Sequence, residues 1–371
     1  MAGQARRVVV VGAGLAGLLA AAAAGPHVED VVVVDRDRLP GGPGARGGVP
    51  GGRPASGVPP AALAAMSELL PGLAEELTAH GARAYEAPEG PGLAVSEALV
   101  EWQLRSRLLA GSRVRLVERH AVLELLVGRA AGGGSPAVAG VVVVPLDGPG
   151  APQALTADLV VDASGRHSRA AVCLGLHGFD LPPEDRYRLD ALYRSRWVEE
   201  WPGPEAAPLR VPPAGPDEPY GVLVTAEEDA RTRIVVAGYH GARPPEDTAG
   251  FVALAARLAG IRALPRPADR GRPDRPAARD APSYRFASAA RRRPEQLTLL
   301  PDGLVSVGEA ALAVDPLLGT ALELAAEDAR HLAATLAAGP AGRTRDFLAR
   351  SRPHRDRLWE RARITSARPR S

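Results

Sequence analysis

The sequence predicts an α/β fold in which separate stretches of the chain build a parallel sheet and an antiparallel sheet is inserted between them. Valine runs at 8–11 and 31–34 flank a glycine turn and an alanine-rich helix, which is the pattern of a buried βαβ unit. A third valine-rich run, at 157–161, ends in an acidic residue and another glycine turn. Residues 175–300 hold most of the aromatic side chains in stretches of alternating polarity, which favours an antiparallel sheet.

The first βαβ unit carries a dinucleotide-binding pattern. Gly12, Gly14 and Gly17 have GxGxxG spacing directly after the first valine run. In such a turn the first glycine allows a tight bend, the second lets the backbone approach a pyrophosphate, and the third allows close packing of the helix. Asp35 ends the second valine run, where a carboxylate can accept the hydroxyls of a ribose. An ordinary βαβ unit is the alternative, but strand, helix and acid together favour a Rossmann-like dinucleotide site.

The composition is that of a globular protein with a sizeable core. The 371 residues are 46% hydrophobic and 24% charged, with a formal net charge of +2. This nearly balanced charge gives no reason to expect a nucleic-acid partner. Cys173 is the one cysteine, which excludes an internal disulfide, and the first strand begins too early to leave room for a signal peptide. We therefore expect a cytoplasmic protein without a membrane span that acts on a small molecule.

The order of these patterns predicts a discontinuous arrangement of domains. Residues 1–80, 96–174 and 301–340 form the nucleotide-binding domain, 175–300 a substrate-binding domain, and 341–371 a C-terminal helix and tail. Helices are expected at 15–24, 60–70, 71–80, 96–110, 248–258, 320–338 and 343–363. Residues 81–95 are expected to be irregular, and strands at 113–117, 121–127 and 137–144 to form a meander over the nucleotide fold. The arginines of the last helix are interpreted as a solvated face.

Three separated stretches together resemble one protein family. They are Gly12–Gly17 with Asp35, the segment Asp162-Ala-Ser-Gly165, and Gly308-Glu309 with Pro316 and Gly319. These resemble the three sequence signatures of the group A FAD-dependent monooxygenases, which have the para-hydroxybenzoate hydroxylase-like fold. Smaller matches, such as Asp35-Arg-Asp-Arg-Leu-Pro40 and Pro301-Asp-Gly303, are similar to the branch of polyketide tailoring oxidoreductases and polyether epoxidases.

The resemblance implies FAD as the cofactor, with NAD(P)H as its transient reductant and molecular oxygen as the source of an oxygen atom for the substrate. It implies that the helix after Gly319 directs its N–H groups at the N1/O2 edge of the flavin ring. No side chain is assigned as a catalytic acid or base. The expected cofactor-binding residues are Gly12, Gly14, Gly17, Asp35, Arg36, Arg46, Arg53, Arg105, Val122, Asp162, Gly308, Glu309, Pro316, Gly319 and Thr320.

The chain departs from the family mainly around the flavin. Glu309 stands where the family has aspartate, Thr320-Ala321 where the related branch has Gln-Gly, and Glu97 where an arginine faces FAD. Two functions therefore stay open: a FAD-dependent monooxygenase or epoxidase acting on an apolar natural product such as a polyketide, or a redox-silent, pericyclase-like cyclase. In the second case FAD is structural or absent. A binding or scaffold protein is the third hypothesis.

The substrate is expected between the inserted sheet and the helix at Gly319. The expected pocket residues lie on its strands: Tyr193, Trp197, Tyr220, Leu223 and Tyr239. Their alternation does not say which face of the sheet they occupy. The histidines lack the spacing of metal ligands, so no metal is expected. Arg166 and Arg169 could either contact phosphates or lie at the surface, and the sequence does not decide between these roles. Residues 265–282 are expected to form an exposed loop, and residues 291–293 a solvated turn.

Overall fold

A computed structural model describes residues 7–44, 46–48, 57–129, 136–148, 150–198, 207–215, 217–228, 231–261, 283–339 and 342–366. A five-stranded parallel sheet forms its centre, in the spatial order β15-β9-β1-β2-β5. Its strands are β1 (Arg7–Val11), β2 (Asp30–Val34), β5 (Val114–Val117), β9 (Leu159–Asp162) and β15 (Leu304–Ser306). The strands come from distant parts of the chain, which confirms the discontinuous sheet that the valine runs predict.

Helices cover one face of this sheet. They are α1 (Leu15–Ala24), α2 (Pro60–Leu69), α3 (Leu73–Ala79), α4 (Glu97–Ala110), α7 (Ala321–Ala338) and α8 (Arg343–Ser366). Residues 20–24 of α1, all alanine, are buried because this helix lies between the sheet, α4 and α7. Ser96 caps α4 as predicted, since its hydroxyl accepts a hydrogen bond from the N–H of Leu99 at 3.1 Å.

A three-stranded antiparallel sheet packs on the opposite face. Its strands are β6 (His120–Arg129), β7 (Pro136–Pro145) and β8 (Gln153–Thr156), and α5 (Ala170–Leu176) lies beside β6. Two expectations need correction. The stretch at 113–117 does not belong to a meander, because β5 pairs in parallel with β2. Residues 81–95 are not irregular, because they contain the hairpin β3 (Arg83–Ala87) and β4 (Gly90–Ala94).

The inserted sheet has six strands in the order β11-β12-β13-β10-β14-β16. They are β10 (Glu184–Val198), β11 (Leu209–Val211), β12 (Tyr220–Ala226), β13 (Thr232–Gly238), β14 (Ser283–Arg292) and β16 (Leu312–Ala313). Helix α6 (Thr248–Leu258) covers one face with Phe251 and Val252, whereas Leu317, Leu358 and Trp359 cover the other. Every consecutive pair from β11 to β16 in this order is antiparallel, as the alternating pattern predicts.

Two interpretations of the arginines are wrong. Residues 291–293 are not a solvated turn, because Arg291 lies within β14 with 1% of its surface exposed and pairs with Asp356 of α8 at 2.8 Å. Helix α8 is not only a solvated helix, because Arg355 is buried and forms an ion pair with buried Asp328 at 2.9 Å. The expected loop at 265–282 lies outside the described residues.

Helix α7 joins the two halves of the molecule. It packs against α1 and α2 beside the parallel sheet, while its buried Leu324 belongs to the core of the inserted sheet. Within the described part of the chain, no helix is long and apolar enough to cross a membrane.

Candidate functional site

A cavity of about 760 Å³ lies along the carboxyl ends of the parallel strands. Val11, Asp35 and Asp162, at the ends of β1, β2 and β9, line it together with Gly308, which follows β15. Open parallel sheets bind ligands at this edge. The volume also falls within the roughly 300–1,000 Å³ that is usual for cofactor sites.

The glycine turn forms one wall of the cavity. Gly12 has a φ of +105°, a conformation that favours glycine, and a Cβ atom on Gly17 would lie 1.8 Å from the carbonyl oxygen of Gly12. Gly14 is the N-cap of α1 and offers no side-chain acceptor, so the first N–H groups of the helix remain available toward the cavity. The carboxylate of Asp35 accepts the N–H of Ala13 at 2.6 Å, which holds the turn against the end of β2.

A buried charge cluster lies directly over this turn. The guanidinium of Arg46 lies 3.2 Å from Asp35, 3.2 Å from Asp37 and 3.0 Å from Glu101. The same guanidinium is 3.2 Å from the position that a Cβ atom of Gly14 would occupy. Three carboxylates thus share one arginine, which lies directly over Gly14.

Helix α4 adds two acids to the cavity wall, Glu97 and Glu101. The pKa of Glu101 is raised to about 7, mainly by burial and also by the charge of Glu97, although Arg46 and Arg105 oppose the shift. Arg105 does not line the cavity, because its guanidinium donates to the carbonyl oxygen of Pro40 and lies 3.7 Å from Glu101. Glu97, which stands where the family has an arginine, thus lines the cavity.

The turn after β9 forms the second wall. The carboxylate of Asp162 accepts hydrogen bonds from the hydroxyls of Ser164, Ser168 and Ser306. It thus orders this turn against β15, and it is 3% exposed. Val122 at the start of β6 lines the same part of the cavity.

The third wall is the segment from Gly308 to α7. Gly308 has a φ of +58°, and its N–H donates to Asp328 at 2.8 Å. Glu309, Pro316 and Gly319 line the cavity from this side. Thr320, the N-cap of α7, makes no side-chain capping bond, so the first turn of α7 also presents N–H groups near the cavity.

The predicted cofactor residues separate into three groups. Those that line the cavity are Gly12, Gly14, Asp35, Arg36, Arg46, Val122, Asp162, Gly308, Glu309, Pro316 and Gly319. Gly17, Arg105 and Thr320 do not line it; the first packs α1 against the turn, the second supports Glu101, and the third caps α7. Arg53 lies outside the described residues.

The predicted substrate residues do not line this cavity. Tyr193, Leu223 and Tyr239 are buried in one core with Leu317 and residues of α8. They are covered because α8 and the Pro316–Leu318 turn fill the inner face of the inserted sheet.

The other two predicted substrate residues also lie outside the cavity lining, and each hydrogen-bonds to another part of the chain. The indole N–H of Trp197 donates to Glu227 at 2.8 Å. The hydroxyl of Tyr220 donates to the carbonyl oxygen of Arg243 at 3.3 Å.

Several cavity residues escape prediction from the sequence. Glu101 lies one helical turn after Glu97, so the i,i+4 spacing could have placed both acids on one face. Tyr284 lines the cavity from β14, and the guanidinium of Arg166 lies 4.9 Å from the centre of its ring. No local pattern indicates that contact, because Arg166 lies in the turn after β9 and Tyr284 lies on a strand of the inserted sheet.

Comparison with known proteins identifies the family. A family model described as FAD dependent oxidoreductase matches residues 7–172, which include the glycine turn and the Asp162 turn. Protein Rv3254 of Mycobacterium tuberculosis is 30% identical over 357 residues, covering 89% of this chain and 73% of that protein. The chain belongs to the FAD-dependent oxidoreductases. It is therefore a flavin-dependent enzyme, and FAD is its cofactor.

Solved structures show the fold of this FAD-dependent oxidoreductase. The Diels-Alderase PyrE3 of pyrroindomycin biosynthesis is 19% identical with a TM-score of 0.65, covering 98% of this chain and 74% of its own. PqsL, described as a probable FAD-dependent monooxygenase from Pseudomonas aeruginosa, is 17% identical with a TM-score of 0.64, and the match covers 97% of this chain and 95% of PqsL. The architecture is that of the group A flavoprotein monooxygenases, as the three sequence signatures predict.

The residues of the cavity fit FAD. Gly12 and Gly14 line the cavity without a side chain, and two helix N-termini supply N–H donors at separate points of one cavity. Asp35 stands at the end of β2, where a ribose acceptor is required. The acids Glu97 and Glu101 are the feature that fits least, because they add negative charge to a site for a diphosphate.

Proposed function

We propose that this FAD-dependent oxidoreductase is a tailoring monooxygenase that hydroxylates or epoxidises an apolar natural product such as a polyketide. The observation that carries the proposal is one continuous cavity, which extends from the nucleotide turn at Gly14 to the N-terminus of α7. A cofactor that binds extended needs donors at both ends of one cavity, and this cavity has them. The fold shared with PqsL and PyrE3 also supports the proposal.

The roles of the residues follow from their positions. Asp35 would accept the ribose hydroxyls, and the N–H groups at the start of α1, with Arg46, would face the diphosphate. The start of α7 would face the redox-active ring. Bound FAD would supply the redox chemistry, with NAD(P)H as the reductant and molecular oxygen as the source of one oxygen atom for the product, while the other oxygen atom leaves as water.

The protein's task is then to hold the cofactor and exclude water. Asp162 and Asp328 fix the two turns that form the cavity walls, so the walls are ordered before a ligand arrives. Tyr284 and Arg166 mark the end of the cavity that borders the inserted sheet, and we place the substrate there. An apolar substrate would contact the ring of Tyr284, while Arg166 would attract a polar group at its edge.

Flavin content and cofactor oxidation test the proposal. The purified protein should carry or take up FAD with the absorption of a bound flavin, and NAD(P)H should reduce that flavin without air. Asp35→Asn should bind FAD at least tenfold more weakly, because the amide is a poorer acceptor for ribose hydroxyls. Glu29→Gln, at an exposed position away from the cavity, serves as the matched control. Bound flavin that NAD(P)H does not reduce would contradict the monooxygenase proposal.

A redox-silent cyclase is the second candidate. Glu97, Glu309 and Ala321, the departures from the family, all line the cavity, so each changes the surface that would contact FAD. The similar fold of the Diels-Alderase PyrE3 gives this candidate support. A cyclase should convert a polyene substrate at the same rate with and without NAD(P)H, whereas a monooxygenase should consume one NAD(P)H and one oxygen molecule for each product.

A further inference from the structure

A buried carboxylate lies behind the turn that leads into α7. Asp315 accepts the hydroxyls of Tyr193 at 2.6 Å and Tyr239 at 2.8 Å, and the N–H of Leu317 at 2.8 Å. It is 5% exposed, and these hydrogen-bond donors of the described part of the chain are two hydroxyls and a backbone N–H, with no cation among them. Its negative charge is therefore held by three hydrogen-bond donors and not neutralised by a cation.

This carboxylate lies one residue layer from the large cavity. Asp315 borders a void of about 10 Å³, and Glu309, Pro316 and Ala321 line both that void and the cavity. Asp315 also precedes the start of α7, whose N–H groups carry partial positive charge. The acid and the helix N-terminus thus act with opposite sign on the same end of the cavity.

The donors favour the ionised form of Asp315. Burial raises its pKa, and the hydrogen bonds from Tyr193, Leu317 and Tyr239 oppose that rise. Burial and the nearby carboxylate raise the pKa of both tyrosines well above its usual value, so they remain protonated and continue to donate.

We propose that Asp315 makes the reduction potential of FAD in this cavity more negative, by placing a fixed negative charge behind the wall that faces the flavin ring. The inference rests on the placement of FAD given under the proposed function. Reduced flavin carries more negative charge than oxidised flavin, so a carboxylate in a dry interior disfavours the reduced form. Asp315 is not a catalytic residue, because it does not line the cavity.

The test is the midpoint potential of bound FAD in Asp315→Asn, measured at pH 8.5 against a reference dye, without substrate or oxygen. The affinity for reduced FAD relative to oxidised FAD should rise at least tenfold, which equals about 30 mV for a two-electron couple. The affinity for oxidised FAD should change less than threefold. Tyr239→Phe is the matched control, since it loses one hydrogen bond but keeps the charge, and its potential should be no more positive than that of the wild type.

Three results would overturn the inference. The first is an unchanged potential in Asp315→Asn. The second is a positive shift in Tyr239→Phe as large as that in Asp315→Asn, and the third is a wild-type protein that retains no FAD. If Asp315→Asn does not fold, Asp315→Ser removes the same charge in a smaller side chain, and the expected shift is the same. An unchanged potential in a protein that oxidises NAD(P)H would remove this inference alone, whereas a shifted potential without oxygen transfer would remove only the monooxygenase proposal.

Discussion

Replacing Glu101 by glutamine should remove one specific dependence of stability on pH. Glu101 is 8% exposed, and its nearest cation, Arg46, is shared with Asp35 and Asp37. Burial is the largest cause of its raised pKa. Glutamine has nearly the same shape and can still accept a hydrogen bond from Arg46, so the substitution mainly removes a titrating charge.

The size of this change in stability follows from the shift in the pKa of Glu101. The pKa of Glu101 rises from 4.5 to about 7 on folding. At about 1.4 kcal/mol per pKa unit, this corresponds to about 3 kcal/mol between the two protonation states. Because the folded protein binds this proton more tightly, the stabilisation is complete below pH 4.5 and is lost as the pH rises through 7. The free energy of unfolding of Glu101→Gln relative to wild type should therefore increase by up to about 3 kcal/mol from pH 5 to pH 8.

Urea unfolding of the flavin-free protein at pH 5, 6, 7 and 8 measures this difference. Glu29→Gln serves as the control, since it makes the same chemical change at an exposed position. A difference for Glu101→Gln that varies by less than about 0.5 kcal/mol over this range would refute the reasoning from burial. FAD should also bind more tightly to Glu101→Gln than to wild type at pH 8, because one carboxylate beside the diphosphate site is gone.

Two substitutions test the packing that shapes the cavity. Gly17→Ala should unfold the protein or lower its melting temperature by many degrees, since a Cβ atom there would lie 1.8 Å from a backbone oxygen; Gly25→Ala meets nothing within 4 Å and should melt like the wild type. Arg355→Met should lower the free energy of urea unfolding by about 3–5 kcal/mol, because Asp328 would stay buried without its partner. Exposed Arg352→Gln on the same helix should change it by less than about 1 kcal/mol, and equal losses in the two variants would contradict this account.

Regular elements were predictable wherever one periodic pattern dominated. The helix at Thr248–Leu258 has the bounds that its sequence predicts, and the valine runs form strands because they are buried on both faces. The hairpin at 83–94 was missed because Gly90, Pro91 and Gly92 are poor strand formers. It forms through its pairing and through the bridge between Val58 and Leu93, which a local pattern does not contain.

The substrate face was less predictable than the cofactor end. Tyr193 and Tyr239 were expected in a pocket because they lie on strands of the inserted sheet. The sequence could not indicate that Leu317 and α8 cover that face, since these residues come from more than 70 positions further along the chain. Alternation assigns residues to two faces, but only packing decides which face remains open.

The sequence alone determined the nucleotide end of this protein, because the turn at Gly12, Gly14 and Gly17 and the acid at Asp35 act over short distances along the chain. The tertiary structure decided the electrostatics. It brought Arg46 between the two acids that follow β2 and Glu101 of α4, and it placed the carboxylate of Asp315 against Tyr193 and Tyr239. Charge interactions depend on distance and burial, and both are fixed only when remote segments pack together.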